Sequence, residues 1–341
     1  MREPAFWYRP PSLTSLLLSP LAAVYGATAG RRLRRKGFDA GIPVICVGNY
    51  HLGGAGKTPT VRALVEVLRD LGETPVVLSR GYGGRLRGPV MVDPDRHLAS
   101  DVGDEPLMLA QSVAVAVSRE RIDGLALAKS QGATVIVMDD GFQNPAIAKD
   151  LSLVVIDAHR GLGNTRVFPA GPLRAPLPPQ VDRTDALIVI GEGGAADAVA
   201  ARVAAQDKPV LLAQLKAGRA AVSSLRGRRV LAFAGIGDPD RFFRTLRACG
   251  IEVVREQAFA DHHPFTQGEI EQLVAEARRD RLVVVTTEKD LARLGLGAKL
   301  PPWAHGIVLF PVTLEFESAP VLRKLVSDRV FRVRERKFRK G

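Results

Sequence analysis

The sequence predicts an α/β protein: a domain built on a parallel β-sheet, a smaller second α/β domain joined to it by a hinge, and a membrane-associated helix at the N-terminus. Three observations predict this class. Short apolar runs alternate with helical stretches along most of the chain, one basic connection interrupts the alternation, and residues 12–30 contain no charged side chain. Continuous apolar strands separated by helices are typical of a parallel sheet that helices cover on both faces.

The composition is that of a folded protein with one or two domains, since 46% of the 341 residues are apolar and 25% are charged. Cys46 and Cys249 are the only cysteines, and they lie far apart in the chain. This excludes a disulfide framework or a cysteine zinc site and is typical of the reducing cytosol.

The first element is the uncharged stretch at 12–30, which Trp7 and Tyr8 precede and a basic run at 31–36 follows. Its nineteen residues, broken by Pro20, are at the margin of what spans a hydrocarbon core of roughly 30 Å. An apolar stripe with basic flanks favours a helix that lies in or dips into an anionic leaflet. Two alternatives stay open: a secretory signal cleaved near Ala27-Thr28-Ala29, and an ordinary buried helix with a solvated basic end.

The first domain is expected at residues 37–215. Its predicted helices are Thr60–Leu71 and Glu105–Val113. The β-rich apolar runs predict strands at Pro43–Val47, Pro75–Leu78, Thr134–Met138, Leu151–Ile156, Ala186–Ile190 and Pro209–Ala213.

A phosphate-binding loop (P-loop) follows the first of these strands. Residues 48–59 read Gly-Asn-Tyr-His-Leu-Gly-Gly-Ala-Gly-Lys-Thr-Pro, with His51 where the usual pattern has its first glycine. In such a loop the glycine N–H groups close on phosphate oxygens, the lysine reaches the β- and γ-phosphates, and the threonine hydroxyl binds Mg²⁺. The sequence therefore predicts ATP and Mg²⁺ as cofactors, held by Gly53, Gly54, Ala55, Gly56, Lys57 and Thr58.

Two carboxylates, Asp139 and Asp140, end the strand that begins at Thr134. A P-loop site needs an acidic residue at the end of a neighbouring strand to organise its metal. Asp139, Asp140 and Thr58 are therefore the candidate metal ligands, and sequence order does not decide which aspartate contacts the ion.

The connection at 216–229 is basic and weakly patterned and is expected to be the hinge. The second domain is expected at 230–305 and a return strand or hinge segment at 306–317. Within these bounds the patterns predict helices Arg241–Ala248 and Gln267–Asp280, and strands Val230–Ala234, Glu252–Val254, Leu282–Thr286 and Val308–Phe316.

Residues 318–341 are expected to be a basic tail. The net charge of +12 is carried by the two ends: residues 1–36 hold seven basic and one acidic side chain, residues 324–341 hold eight and two, and the rest holds 33 of each. Nucleic-acid-binding domains carry their basic excess on the folded body. The distribution instead indicates an anionic membrane surface as a partner, with no nucleic acid and no evident obligate protein partner.

Two sequence features of other P-loop protein classes are absent, which restricts the class to which this P-loop belongs. Guanine-reading GTPases use an [NT]-K-x-D element, whereas Thr287-Glu288-Lys289-Asp290 has its lysine one place too late, and position 52, where membrane-bound switch ATPases often carry lysine, is Leu. A metabolic kinase is therefore favoured. A kinase of another lipid-linked sugar and a membrane-recruited, partner-binding ATPase remain alternatives.

Eight motifs in order resemble those of tetraacyldisaccharide 4'-kinase, the lipid A 4'-kinase of Gram-negative bacteria, from about residue 5 to 317. They are the P-loop, Leu78-Ser79-Arg80-Gly81-Tyr82-Gly83, Gly103-Asp104-Glu105-Pro106, Asp139-Asp140-Gly141-Phe142-Gln143, Gly161-Leu162-Gly163-Asn164, Pro169-Ala170-Gly171-Pro172-Leu173-Arg174, Asp261-His262-His263 and Thr287-Glu288-Lys289-Asp290. The resemblance implies transfer of the γ-phosphoryl group of ATP to the 4'-hydroxyl of a tetraacylated glucosamine disaccharide 1-phosphate. It also implies a location at the cytoplasmic face of the inner membrane.

The resemblance also implies roles for single residues. Asp104 corresponds to the catalytic carboxylate and His262 to the histidine paired with it, while Lys57 acts on the phosphates. From the residues alone, Asp104 is a candidate helix N-cap and His262 a loop histidine. Because the two lie in different predicted domains, catalysis would require the hinge to close. Arg80, Tyr82, Arg121 and Arg174 are candidates to bind the sugar phosphate or the transferred phosphoryl group, and for each a surface salt bridge is the alternative. Gln143 is a candidate contact of the substrate or of the metal shell.

Overall fold

The thirteen β-strands of the computed structural model form two sheets within the described residues, which are 3–10, 12–295 and 301–339. The strands are β1 Val44–Gly48, β2 Pro75–Ser79, β3 Val90–Met91, β4 Ala114–Val117, β5 Val135–Asp139, β6 Leu151–Asp157, β7 Ala186–Ile190, β8 Val210–Ala217, β9 Arg229–Ala234, β10 Glu252–Ala258, β11 Val283–Thr286, β12 Val308–Leu309 and β13 Val312–Phe316.

Helices cover both sheets. They are α1 Leu13–Leu17, α2 Ser19–Leu33, α3 Lys57–Asp70, α4 Ala99–Val102, α5 Asp104–Ala110, α6 Arg121–Ser130, α7 Leu177–Asp182, α8 Asp197–Ala204, α9 Arg219–Leu225, α10 Pro239–Ala248, α11 Gln267–Arg279, α12 Glu288–Leu294 and α13 Ala319–Phe338, with 3-10 turns at Ala5–Tyr8 and Pro302–Ala304.

The large sheet has the strand order β13-β8-β7-β6-β1-β5-β2-β4-β3. Its seven inner strands run parallel, and only the edge strands β13 and β3 are antiparallel to their neighbours. The P-loop strand β1 lies at the centre between β5 and β6, with Val47 opposite Asp139. Since parallel strands end at one edge, this register brings the P-loop and the aspartate pair together.

The small sheet, in the order β10-β9-β11-β12, is parallel and separate from the large sheet; the segment that carries it is called the second domain below. The expected hinge at 216–229 is largely structured, because β8 ends at Ala217 and α9 follows it. The single strand expected at Val308–Phe316 is wrong: it is divided into β12 of the small sheet and β13 of the large one. Pro311 separates the two pieces.

The expected basic tail is also wrong, because most of residues 318–341 form helix α13, which packs on the large sheet. Leu322, Val326 and Val330 are buried in the same apolar core as the P-loop strand. Arginines of α13 pair with acidic side chains that precede strands: Arg334 with Glu73 at 2.6 Å, and Arg329 with Asp185 at 3.0 Å. These arginines of the C-terminal basic segment are thus paired with the folded body rather than free in solution.

The N-terminal helices α1 and α2 lie along the large-sheet domain with one apolar face uncovered. Trp7 and Ser15 are buried, and the indole N–H of Trp7 donates to the carbonyl of Pro169 at 3.1 Å. No described helix is both long and apolar enough to cross a membrane. The uncovered side chains are between 60% and 80% exposed and are Leu13, Leu16, Leu17, Leu21 and Val24.

Candidate active site

The P-loop has the backbone that its glycines predict. Gly53 and Gly56 have φ of +99° and +90°, a region that side chains with a Cβ rarely adopt, and Gly56 leads directly into α3. A Cβ at Gly56 would also lie 2.7 Å from the Cδ1 atom of Ile190. The loop thus ends at the N-terminus of α3, where a phosphate is favoured.

His51, which replaces the usual first glycine, is a buried structural residue. It is 1% exposed, and its Nδ1 atom lies 2.6 Å from the carbonyl oxygen of Leu52. Burial lowers the pKa of His51 to about 4. The imidazole is therefore neutral at physiological pH and adds no charge to the loop.

Asp139 and Asp140 differ sharply in their partners. Asp140 receives both Nη atoms of Arg174, at 2.8 and 3.0 Å, and lies 3.7 Å from the Nζ of Lys57. Burial alone would raise the pKa of Asp140, but these two cations hold it well below its usual range. Asp139 is 5% exposed and its Oδ1 has no hydrogen-bond partner. Burial, followed by the charge of Asp140, raises the pKa of Asp139 to about 7.

Asp104 lies in α5, on the large-sheet side of the cleft, and its side chain reaches partners on the other side. It is the first residue of α5, preceded by Gly103, so the N-cap role that the sequence allowed is excluded. Its Oδ2 atom lies 2.7 Å from the Nδ1 of His262 and 2.6 Å from the Nε of Arg293, both in the second domain. Burial alone would raise the pKa of Asp104, but these two partners lower it below its usual range.

Lys289 lies beside His262, between carboxylates of Glu105 and Asp261. Its Nζ lies 2.7 Å from Glu105 and 3.2 Å from Asp261. Burial opposes its charge, yet these two carboxylates raise the pKa of Lys289. The amine lies 3.4 Å from the Nε2 of His262, while Nδ1 donates to the Asp104 carboxylate, which can only accept.

Asp104, Glu105 and His262 also have ligand atoms close enough together to hold a metal ion. However, Arg293 and Lys289 already neutralise the two carboxylates. The group is therefore better described as an ion-pair network than as a second metal site.

The candidate substrate-binding residues fall into two groups. Arg80 and Tyr82 are exposed, and the Tyr82 ring lies 5.5 Å from the His262 ring, at the cleft. The other three, Arg121, Gln143 and Arg174, already have internal partners. Arg121 is 3% exposed and donates to the carbonyls of Leu78 and Asp139.

Gln143 and Arg174 support the P-loop. Gln143 donates to the carbonyl of Asn49 at 2.8 Å and to the side chain of Gln180 at 2.9 Å. Arg174 donates from Nε to the carbonyl of His51 at 3.1 Å, in addition to its contacts with Asp140. Direct contact of these two with substrate stays a prediction.

Sequence reasoning missed the parts that Lys289 and Arg293 play. It assigned no binding or catalytic role to the Thr287–Asp290 motif, and it did not single out Arg293. In the structure Arg293 is bound to Asp104 and to Asp290, three residues before it on α12. An arginine one helical turn after an acidic residue was the available signal.

The family model described as tetraacyldisaccharide-1-P 4'-kinase matches residues 14–330. The chain belongs to this family. The resemblance noted from the motifs is thus confirmed, and the match extends beyond residue 317 into α13.

Relatives of this kinase family match nearly the whole chain. A tetraacyldisaccharide 4'-kinase of Bradyrhizobium diazoefficiens is 65% identical over 338 residues, which cover 99% of either chain. One of Nitrobacter winogradskyi is 63% identical and covers 98% of this chain and 99% of its own. A crystal structure of LpxK from Aquifex aeolicus in complex with ATP has a TM-score of 0.70 at 26% identity, covering 93% of this chain and 99% of its own. The α/β fold with a large, mostly parallel sheet is confirmed.

Proposed function

We propose that this protein transfers the γ-phosphoryl group of ATP to the 4'-hydroxyl of tetraacyldisaccharide 1-phosphate, a step of lipid A synthesis. The observation that carries the proposal is Asp104, an ionised carboxylate held at the cleft by His262 and Arg293 of the second domain. The P-loop end of β1 and the aspartates at the end of β5 lie at the same edge of the large sheet. Family membership supplies the acceptor that this arrangement serves.

Asp104 is the proposed group that orients the acceptor hydroxyl and accepts its proton. Its lowered pKa keeps it ionised at neutral pH, so an acceptor site is always available. His262 acts by holding this carboxylate: its Nδ1 donates to Asp104, and the amine of Lys289 lies beside its Nε2. Lys57 and the P-loop N–H groups are the proposed contacts of the transferred phosphate.

Closure of the two domains is part of the proposal, because Asp104 and His262 belong to different domains. In the described arrangement Gly237 of the second domain approaches the P-loop, where a Cβ added to it would lie 3.3 Å from the backbone N of Gly54. Opening would admit the substrates, and closure would exclude water from the phosphates.

Mg²⁺ is proposed to bind Asp139 together with the hydroxyl of Thr58. The buried, unpartnered Oδ1 of Asp139 fits a divalent cation, whereas both oxygens of Asp140 are engaged by Arg174. The ion would neutralise charge on the phosphates. Asp139→Asn should abolish the Mg²⁺ dependence of ATP binding, while Asp140→Asn should retain it. Equal loss in both would contradict this division of roles.

A peripheral location at the cytoplasmic face of the inner membrane is proposed from the uncovered face of α1 and α2. The leucines of this face are followed at 31–36 by basic side chains, a pair of weak signals that bind anionic lipid together. Replacing Leu13, Leu17 and Leu21 by Ser should release the protein from anionic vesicles. The control is Ile122→Ser, an exposed apolar position on α6. Full retention of the triple variant would contradict the proposal.

Transfer of labelled γ-phosphate in mixed micelles tests the reaction. Label on the disaccharide lipid, at the 4' position, is the expected result. Label on a different lipid-linked sugar would support the first alternative kinase. ATP hydrolysis that a protein stimulates, with no labelled lipid, would replace the proposal by a partner-binding ATPase.

A further inference from the structure

A glutamate from the N-terminus lies on the P-loop. Glu3 precedes the 3-10 turn Ala5–Tyr8, and a Cβ built on Gly53 would come within 1.8 Å of its Oε1 atom. This oxygen is buried and has no hydrogen-bond partner. A carboxylate here stands where a loop built to bind phosphate would meet phosphoryl oxygens.

Arg160 holds this carboxylate in place. Its Nη2 atom donates to the Oε2 of Glu3, and the Tyr8 ring lies 4.4 Å from its guanidinium carbon. The Nη1 atom of Arg160 is buried and has no partner, so the guanidinium fork is only half used. A phosphate offers three oxygens to such a fork, whereas the carboxylate engages one nitrogen.

The fold places Arg160 next to the nucleotide loop. It follows β6, the direct neighbour of β1, and Asp157 at the end of β6 accepts its backbone N–H at 2.9 Å. The other oxygen of Asp157 pairs with Arg241 of the second domain at 2.9 Å. Arg160 is also reachable, since it borders an open pocket of about 680 Å³ that Tyr8 and His159 line.

We propose that Arg160 binds the γ-phosphate of ATP and that Glu3 occupies the position of this phosphate until ATP displaces it. Glu3 then competes with ATP for this site from within the same chain. When ATP displaces Glu3, Arg160 exchanges its carboxylate partner for a phosphate. Because Glu3 precedes the anchor helices α1 and α2, displacement would also alter how the N-terminus rests on the domain. The inference rests on the ATP dependence of the proposed function, but not on the acceptor.

The test measures the binding of ATP and of ADP to the full-length protein by calorimetry, without turnover. Glu3→Gln should bind ATP about tenfold more tightly, because the competent fraction of sites rises. Arg160→Gln should bind ATP at least tenfold more weakly and ADP with little change, since only ATP carries the γ-phosphate. When Arg160→Gln is already present, adding Glu3→Gln should give no further gain in ATP affinity. In that background Arg160 no longer holds Glu3 on the P-loop, so removing its charge changes nothing.

Controls and contrary results are equally specific. Glu192→Gln and Arg219→Gln change exposed side chains and should leave both affinities unchanged. Arg160→Lys is included in case Arg160→Gln does not fold. Its ATP affinity should lie between those of Arg160→Gln and the wild type. Unchanged or weaker ATP binding in Glu3→Gln would overturn the proposal. So would a folded Arg160→Gln protein that binds ATP as tightly as the wild type. Since turnover is not read, either outcome leaves the transfer reaction itself standing.

Discussion

Asp139 and Asp140 are adjacent in the sequence but differ in every contact that decides their chemistry. Asp140 is held by Arg174 and Lys57, and Asp139 keeps one buried oxygen without a partner. The residue types and their position after a strand predicted a metal site. Which aspartate is free depends on Arg174, which is distant in the chain, so the sequence order could not decide it.

His51 gives a prediction about stability and pH. Its folded-state pKa of about 4 lies below that of an exposed histidine. Between these two pKa values the unfolded chain therefore binds a proton at His51 that the folded chain does not bind. This contribution is intact above about pH 6.5 and is lost as the pH falls toward 4. Between pH 7 and 4.5 the unfolding free energy of the wild type should fall by on the order of 2 kcal/mol more than that of His51→Asn. Denaturant titrations at the two pH values measure this. Equal losses in the two proteins would mean that His51 is not buried neutral.

At the scale of the element, most inner strands of the large sheet were predictable, although the buried strand β4 was not among those expected. The bounds of β1, β2, β6 and β7 follow the expected apolar runs to within two residues, because parallel interior strands are continuously apolar. By contrast, β10 continues four residues beyond the expected Val254 through Arg-Glu-Gln-Ala, which are exposed. Pairing with β9 holds these residues in the sheet, and apolar pattern carries no signal for it.

From the sequence, a basic tail was expected where the structure has helix α13, because basic side chains surround the apolar residues that this helix buries. Val326 is fully buried, whereas Phe331 of the same helix is 68% exposed. Val326→Ala should therefore lower the unfolding free energy by about 1 to 3 kcal/mol, and Phe331→Ala should change it little. Thermal and denaturant unfolding of the two variants provide the comparison. A Val326→Ala protein as stable as the wild type would show that α13 contributes no packing to the fold.

At the scale of the whole molecule, the cleft is a surface shared by two domains and joined by ion pairs. Arg62 of α3 and Glu288 of α12 meet at 2.8 Å, and Lys289 meets Glu105 at 2.7 Å. The sequence predicted both domains and assigned Asp104 and His262 to different ones. It could not show that Glu288, Lys289 and Arg293 connect them, because such contacts depend on how the sheets are oriented.

A charge exchange tests whether these ion pairs favour the closed arrangement. Arg62→Glu and Glu288→Arg should each lower kcat/KM about fivefold or more, because like charges then face each other across the cleft. The double exchange should recover most of the loss. Exchanging Arg69 and Glu66, a pair within α3, is the matched control and should have little effect. Additive losses in the Arg62 and Glu288 double variant would contradict a role of this pair in closure.

Single-turnover transfer by Asp104→Asn tests the proposed mechanism most directly. The variant keeps the size of the side chain but removes the charge that is held between His262 and Arg293. With nucleotide affinity measured on the same preparation, the transfer rate to the disaccharide lipid should fall by at least about a hundredfold while ATP binding is unchanged. Near-normal transfer with intact ATP binding would remove Asp104 from the reaction and with it the cross-domain site proposed for this kinase.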